Sequence, residues 1–80
     1  MALKLLFFAQ CAQWVAHREL SIPWEGRSSI AGLLGRRPEL QPLLRHQGML
    51  KAAVNQELVD FNTEVNDGDE IAFLPPVSGG

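Results

Sequence analysis

Eighty residues with a net charge of −2 and 46% apolar side chains make one small domain, which buries only about 60–65% of its unfolded surface and folds with little stability to spare. The single cysteine, Cys11, excludes an internal disulfide, and His17 and His46 lack the close Cys/His spacing of a zinc site, so no metal ligands are expected. The acidic balance argues against nucleic acid as a partner, because phosphate binding is driven by clustered Lys and Arg.

The chain opens on an apolar run, Met1 to Ala9, too short to span a bilayer and without the basic flank or small-residue cleavage site of a signal peptide. A reduced, cytoplasmic protein is therefore expected. Leu3 to Ala9 reads as a strand with Leu3, Leu5 and Phe7 in one row and Lys4, Leu6 and Phe8 in the other. Gln10 to Glu19 has no clean period and holds room for a turn of helix carrying Trp14 and Val15. Leu20 to Trp24 alternates again, and Pro23 confines it to a sheet edge or strand end.

Ser28 or Ser29 is the expected N-cap of a helix bearing Ile30, Leu33 and Leu34, which Gly32 and Gly35 weaken and Pro38 ends. Arg36-Arg37, the only adjacent basic pair, reads as helix C-terminal charge. Glu39 to Arg45 forms a second short helix with Pro42 near its first turn. Met49 to Val54 and Glu57 to Phe61 are strands joined by a tight turn at Asn55-Gln56. Asn66-Asp67-Gly68-Asp69 is a strong turn signal launching the last strand, Glu70 to Leu74.

Strand, strand, helix and three further strands give an α+β mixed sheet packed on one main helix and a short second one. The first two strands form a hairpin, and the crossover through the helix sets the last strand parallel to the first. This is a β-grasp, ubiquitin-like arrangement over residues 1–74, followed by an extended flexible tail at 75–80.

The tail is Pro75-Pro76-Val77-Ser78-Gly79-Gly80. Two prolines favour a polyproline-like exit, and six residues reach roughly 20 Å at about 3.3 Å each. Gly79 and Gly80 carry no side chains, so the tip passes through a channel that excludes other residues. A carboxylate there is a poor electrophile until adenylation supplies a leaving group; a sulfur nucleophile can then displace AMP and leave a thiocarboxylate.

Leu5-Leu6-Phe7-Phe8-Ala9-Gln10, Ala53-Val54-Asn55-Gln56, Asp67-Gly68-Asp69-Glu70-Ile71-Ala72-Phe73 and Leu74 to Gly80 resemble, in order, the MoaD family, the small subunits of molybdopterin synthase. Leu74 stands where many members carry Phe, and Cys11 to Glu19 and Arg36 to Gln47 carry no family signature. The resemblance implies that Gly80 is adenylated by an E1-like, MoeB-like enzyme that uses ATP, the chain itself binding no cofactor. A sulfurtransferase then supplies sulfur. It further implies that the tail enters a MoaE-like large subunit, in an assembly with two small subunits at the ends of a large-subunit dimer. There the thiocarboxylate gives sulfur to cyclic pyranopterin monophosphate, with the catalytic side chains on the large subunit. Phe8, Leu58 and Leu74 correspond to the family's docking surface, with Pro75, Pro76, Val77 and Ser78 leading into the partner.

Three alternatives share parts of this pattern. A related carrier would serve thiazole, tRNA thiolation or cysteine synthesis; a ubiquitin-like modifier would join Gly80 to lysines; an interaction module would work without Gly79-Gly80. Cys11 reads as a half-buried small apolar residue, His17 and His46 as surface residues, and Trp14 and Trp24 as core lids.

Overall fold

The computed structural model describes residues 2–24 and 26–75. The readings of Pro76, Val77, Ser78, Gly79 and Gly80 lie outside them. The described elements run β1 (Ala2–Phe7), α1 (Gln10–Val15), β2 (Glu19–Pro23), β3 (Ser28–Ser29), α2 (Ile30–Arg36), α3 (Gln41–Arg45), β4 (Lys51–Val54), β5 (Glu57–Val59), β6 (Glu64–Val65) and β7 (Glu70–Leu74), with 3-10 turns at Pro38–Leu40 and Gln47–Met49. No helix among them is long and apolar enough to cross a membrane.

Five strands form one sheet in the order β2-β1-β7-β4-β5, and β3 pairs with β6 in a second, two-stranded sheet. The expected parallel pairing of first and last strands is present, with Leu5 opposite Ile71 and Phe7 opposite Phe73. The other ladders are antiparallel. Helices and 3-10 turns cover one face. Leu3, Leu5 and Phe7 from β1, Ile22 from β2, Ala52 from β4 and Ile71 and Phe73 from β7 point into that core, against Ile30, Leu33 and Leu34 of α2 and Leu43 of α3. Phe7 and Phe73 stack with ring centroids 5.7 Å apart.

Several local choices follow from named residues. Ser29, not Ser28, caps α2: its hydroxyl accepts from Gly32 N at 3.0 Å. Arg37, held extended ahead of Pro38, ends the helix. Asn55 and Gln56 both take positive φ, 51° and 72°, the twist a two-residue hairpin requires. Asn55 offsets that strain by fastening the turn to β7, its Oδ1 accepting from Glu70 N at 3.0 Å and its Nδ2 donating to Asp69 Oδ1 at 3.1 Å.

Some expectations hold and others are corrected. The expected antiparallel pairing of β1 with β2 is present, and the expected turn of helix between them is α1, set between Ala9 and Ala16, both at positive φ. Cys11 and Val15, four residues apart on one helical face, are buried in the core and hold this short helix in place. Cys11 is therefore fully buried, not half-buried. His46 is half-buried and stacks on Trp14 at 4.1 Å, so it is not a free surface residue. The expected helix from Glu39 is divided into a 3-10 turn and α3. Met49 lies in a turn before β4, and β5 stops at Val59 because Asp60 caps a new turn, accepting from Asn62 N at 2.8 Å.

Candidate docking face and tail root

The uncovered face of the sheet divides into two halves. Near the start of β1 it is charged: Lys4 lies 4.0 Å from a Glu19 oxygen and 3.9 Å from a Glu70 oxygen. These pairs are exposed, so they contribute little to stability. Two residues further along β1 the character changes. Leu6 is opposite Ala72 of β7, Ala72 is opposite Ala53 of β4, and Ala53 is opposite Leu58 of β5. This apolar row crosses four strands, about 14 Å at the usual strand spacing.

Phe8 and Leu74 form the beginning of the next row. Phe8 lies just past β1 but extends its ladder, since its N–H donates to the Phe73 carbonyl at 3.1 Å. Leu74 is opposite Lys51 of β4. Phe8 is 46% exposed and Leu58 67%, against 0% for Leu5 and Phe73 on the covered side. Leu74 and Pro75 are half-buried.

The expected trio is thus on one face, but not as a tight cluster. Phe8 and Leu74 end adjacent strands, whereas Leu58 stands at the far corner of the patch, with Leu6, Ala72 and Ala53 between. Strand alternation set Phe8 apart from the inward row, while Leu58 and Leu74 came from the family resemblance. The alanines that make the surface continuous needed the register, since small residues give no signal of their own in a sequence. Beside Phe8, an open cleft of about 710 Å³ runs along α1 and is lined by Leu6, Phe8, Ala9, Ala12, Ala16 and Arg18 among others.

Among the described residues, the apolar part of this face carries no thiol or hydroxyl nucleophile. Cys11 is in the core, and burial pushes its thiol above the ordinary range, which disfavours the thiolate needed for attack. Among the described residues no three His, Cys, Asp or Glu side chains gather as a metal group would require. What the arrangement offers is an apolar surface whose edge is the root of the tail, since β7 ends at Leu74 and the chain leaves at Pro75.

Residues 5–80 match the ThiS family. The chain belongs to that family. Within it, this ThiS-family chain is 38% identical over 80 residues to the molybdopterin synthase sulfur carrier subunit of Escherichia coli, covering 98% of this chain and 99% of the other. The protein of the same name from Haemophilus influenzae is 32% identical with the same coverage. The resemblance to MoaD proteins is therefore borne out. Among solved structures, the ThiS-family fold is shared with SAMP1 from Haloferax volcanii, at a TM-score of 0.80, 21% identity and full coverage of both chains. It also matches a protein-protein complex of subunits 1 and 2 of molybdopterin-converting factor from Helicobacter pylori, at a TM-score of 0.66, 30% identity and full coverage of both chains. The β-grasp reading stands.

Proposed function

We propose that this chain is the sulfur-carrier subunit of a molybdopterin synthase. The observation that carries the reading is the near full-length similarity to sulfur carrier subunits of that enzyme, 38% and 32% identical. The uncovered sheet face supports it, because an apolar surface of this kind at the root of a glycine-ended tail suits a chain that works by docking and reaching. The likeness to SAMP1, at 21% identity, carries the fold alone and brings no modifier activity with it.

In this reading a MoaE-like large subunit covers Phe8, Leu58 and Leu74. Pro75, Pro76, Val77 and Ser78 lead Gly79 and Gly80 into its active site. An E1-like, MoeB-like enzyme spends ATP to adenylate the Gly80 carboxylate, and a sulfurtransferase supplies the sulfur that displaces AMP. The resulting thiocarboxylate gives its sulfur to cyclic pyranopterin monophosphate for the dithiolene of molybdopterin. The protein works in the cytoplasm, in an assembly of two small and two large subunits.

The reading takes Gly80 as the free carboxyl terminus, and one pair of measurements tests it. Intact mass of protein from its native host is expected to include a species about 16 Da heavier, OH having been replaced by SH. A variant extended by one residue beyond Gly80 is expected to fold normally and to lose sulfur transfer. Sustained dithiolene synthesis by that variant, with mass showing it uncleaved, refutes the carrier mechanism.

A further inference from the structure

The chain's seven basic side chains are five arginines and two lysines, so Lys4 and Lys51 are its only side-chain primary amines. Leu3 and Leu5 on either side of Lys4 are buried, as are Leu50 and Ala52 on either side of Lys51, so strand alternation turns both lysines to the uncovered face. Their surroundings differ. Lys4 lies between two carboxylates, 4.0 Å from a Glu19 oxygen and 3.9 Å from a Glu70 oxygen. Lys51 is exposed and takes part in none of the ion pairs formed among the described residues. Asp60, which the β4–β5 register sets opposite Lys51, accepts instead from Asn62 N at 2.8 Å. Across the other ladder Lys51 is opposite Leu74, the last residue of β7, at a Cα separation of about 5 Å. An exposed amine therefore stands at the root of the tail whose end the proposed function activates.

We propose that Lys51 is an internal acylation site: its amine captures the activated Gly80 when no sulfur nucleophile does, closing the tail into an isopeptide ring. This rests on the carrier reading above, with Gly80 as the carboxyl terminus. Reach selects Lys51. A polyproline exit over Pro75-Pro76 starts Val77 about 6 Å beyond β7, and Val77 to Gly80 extend about 13 Å. With Ser78, Gly79 and Gly80 supplying the turn, that length brings the tip back over Leu74 to Lys51. Lys4 is opposite Glu70, four residues or about 13 Å farther down β7, and lies beyond that span. In the reaction the neutral amine attacks the carbonyl carbon of the Gly80 acyl-adenylate. A C–N bond forms, the C–O bond to AMP breaks, AMP leaves with the electron pair, and the proton of the amine passes to water. Neither an oxidant nor a reductant enters. The ring consumes the carboxylate, so a closed chain accepts no sulfur.

The test incubates the full chain with the adenylating enzyme of the same organism and ATP, without a sulfur source, and follows intact mass. A monomeric species about 18 Da lighter than the free acid is expected, one water having been lost, and protease digestion is expected to yield a fragment joining Lys51 to Gly80. Lys51→Arg, which keeps the charge but offers no primary amine, is expected to lose that species and still to gain about 16 Da once the sulfur source is added. Lys4→Arg is expected to close as wild type does. A wild-type chain that gains the sulfur mass but never closes, or closes on Lys4, overturns the assignment of Lys51 and leaves the carrier standing. A wild-type chain that neither gains the sulfur mass nor consumes ATP removes the carrier and the internal acylation together.

Discussion

Truncating Phe8 is expected to separate docking from folding, because the domain covers about half of the side chain and leaves the other half exposed. Phe8 is 46% exposed in the free domain. A phenylalanine presents about 200 Å² to its surroundings, so about 90 Å² remains for a partner to cover. At about 25 cal/mol per Å² that area is worth about 2 kcal/mol, or roughly a thirtyfold weakening of affinity when it is removed. The covered half sets the cost to the domain itself. A fully buried Phe→Ala costs about 3–5 kcal/mol, and here about half of that is expected, lowering the melting temperature by roughly 10 °C. Leu58→Ala is the control: at 67% exposure on a three-residue edge strand it is expected to weaken binding while moving the melt by only a few degrees. Calorimetric titration against the large subunit, paired with thermal melts of the free proteins, reads both quantities. A Phe8→Ala protein that melts early but binds normally would show that the side chain serves only the core.

Cys11→Ala is expected to cost about 1–2 kcal/mol of stability, since the thiol is fully buried, while thiocarboxylate formation stays within a few-fold; its loss in a folded variant would return the side-chain thiol to the mechanism. The two glycines of α2 are expected to respond oppositely in denaturant melts. At Gly35 a methyl meets open space and alanine stabilises by about 0.5–1 kcal/mol, whereas at Gly32 it runs into the Ser28 and Ser29 hydroxyls that order the helix start, so the gain is cancelled or reversed. Glu39 is held below the usual carboxylate range chiefly by its own backbone N–H, which outweighs the opposing effect of burial, with further lowering from Arg37 and His17. The stability this gives is present above the unfolded value, near 4.3, and is lost as pH falls through the lower folded value. The melting difference between wild type and Glu39→Gln is therefore expected to vanish in acid, and a difference that persists there contradicts the assignment.

The central strands were legible because each carries its own signal. Leu3, Leu5 and Phe7 alternate with Lys4, Leu6 and Phe8, and Asn66 to Asp69 announces the turn into β7. Ser29 and Pro38 bracket α2 for reasons local to the chain. The elements that were missed, or expected only without bounds, have no such signal. Helix α1 starts and ends at alanines with positive φ, where glycine would have marked the boundaries, and it is held only by what Cys11 and Val15 meet in the core. Strands β3 and β6 have two residues each and exist only by pairing with one another. On the docking face, Phe8, Leu58 and Leu74 were visible singly. That Leu58 stands at the far corner of a patch floored by alanines depended on the registers of three ladders.

Strand β7 is the middle strand of five, so whatever follows Pro75 is anchored at the centre of the sheet. Tension applied to that chain by a partner drawing it inward runs along β7, between a parallel ladder to β1 and an antiparallel ladder to β4. Both ladders are then loaded in shear, with their hydrogen bonds sharing the force at once, whereas an edge strand pulled outward peels one bond at a time. The domain is in this sense a mechanical anchor: the partner can pull on the tail without unravelling the strand from which it grows. Single-molecule extension from the end of β7 is expected to need a higher rupture force than extension from the β5 edge, and equal forces would rule this out.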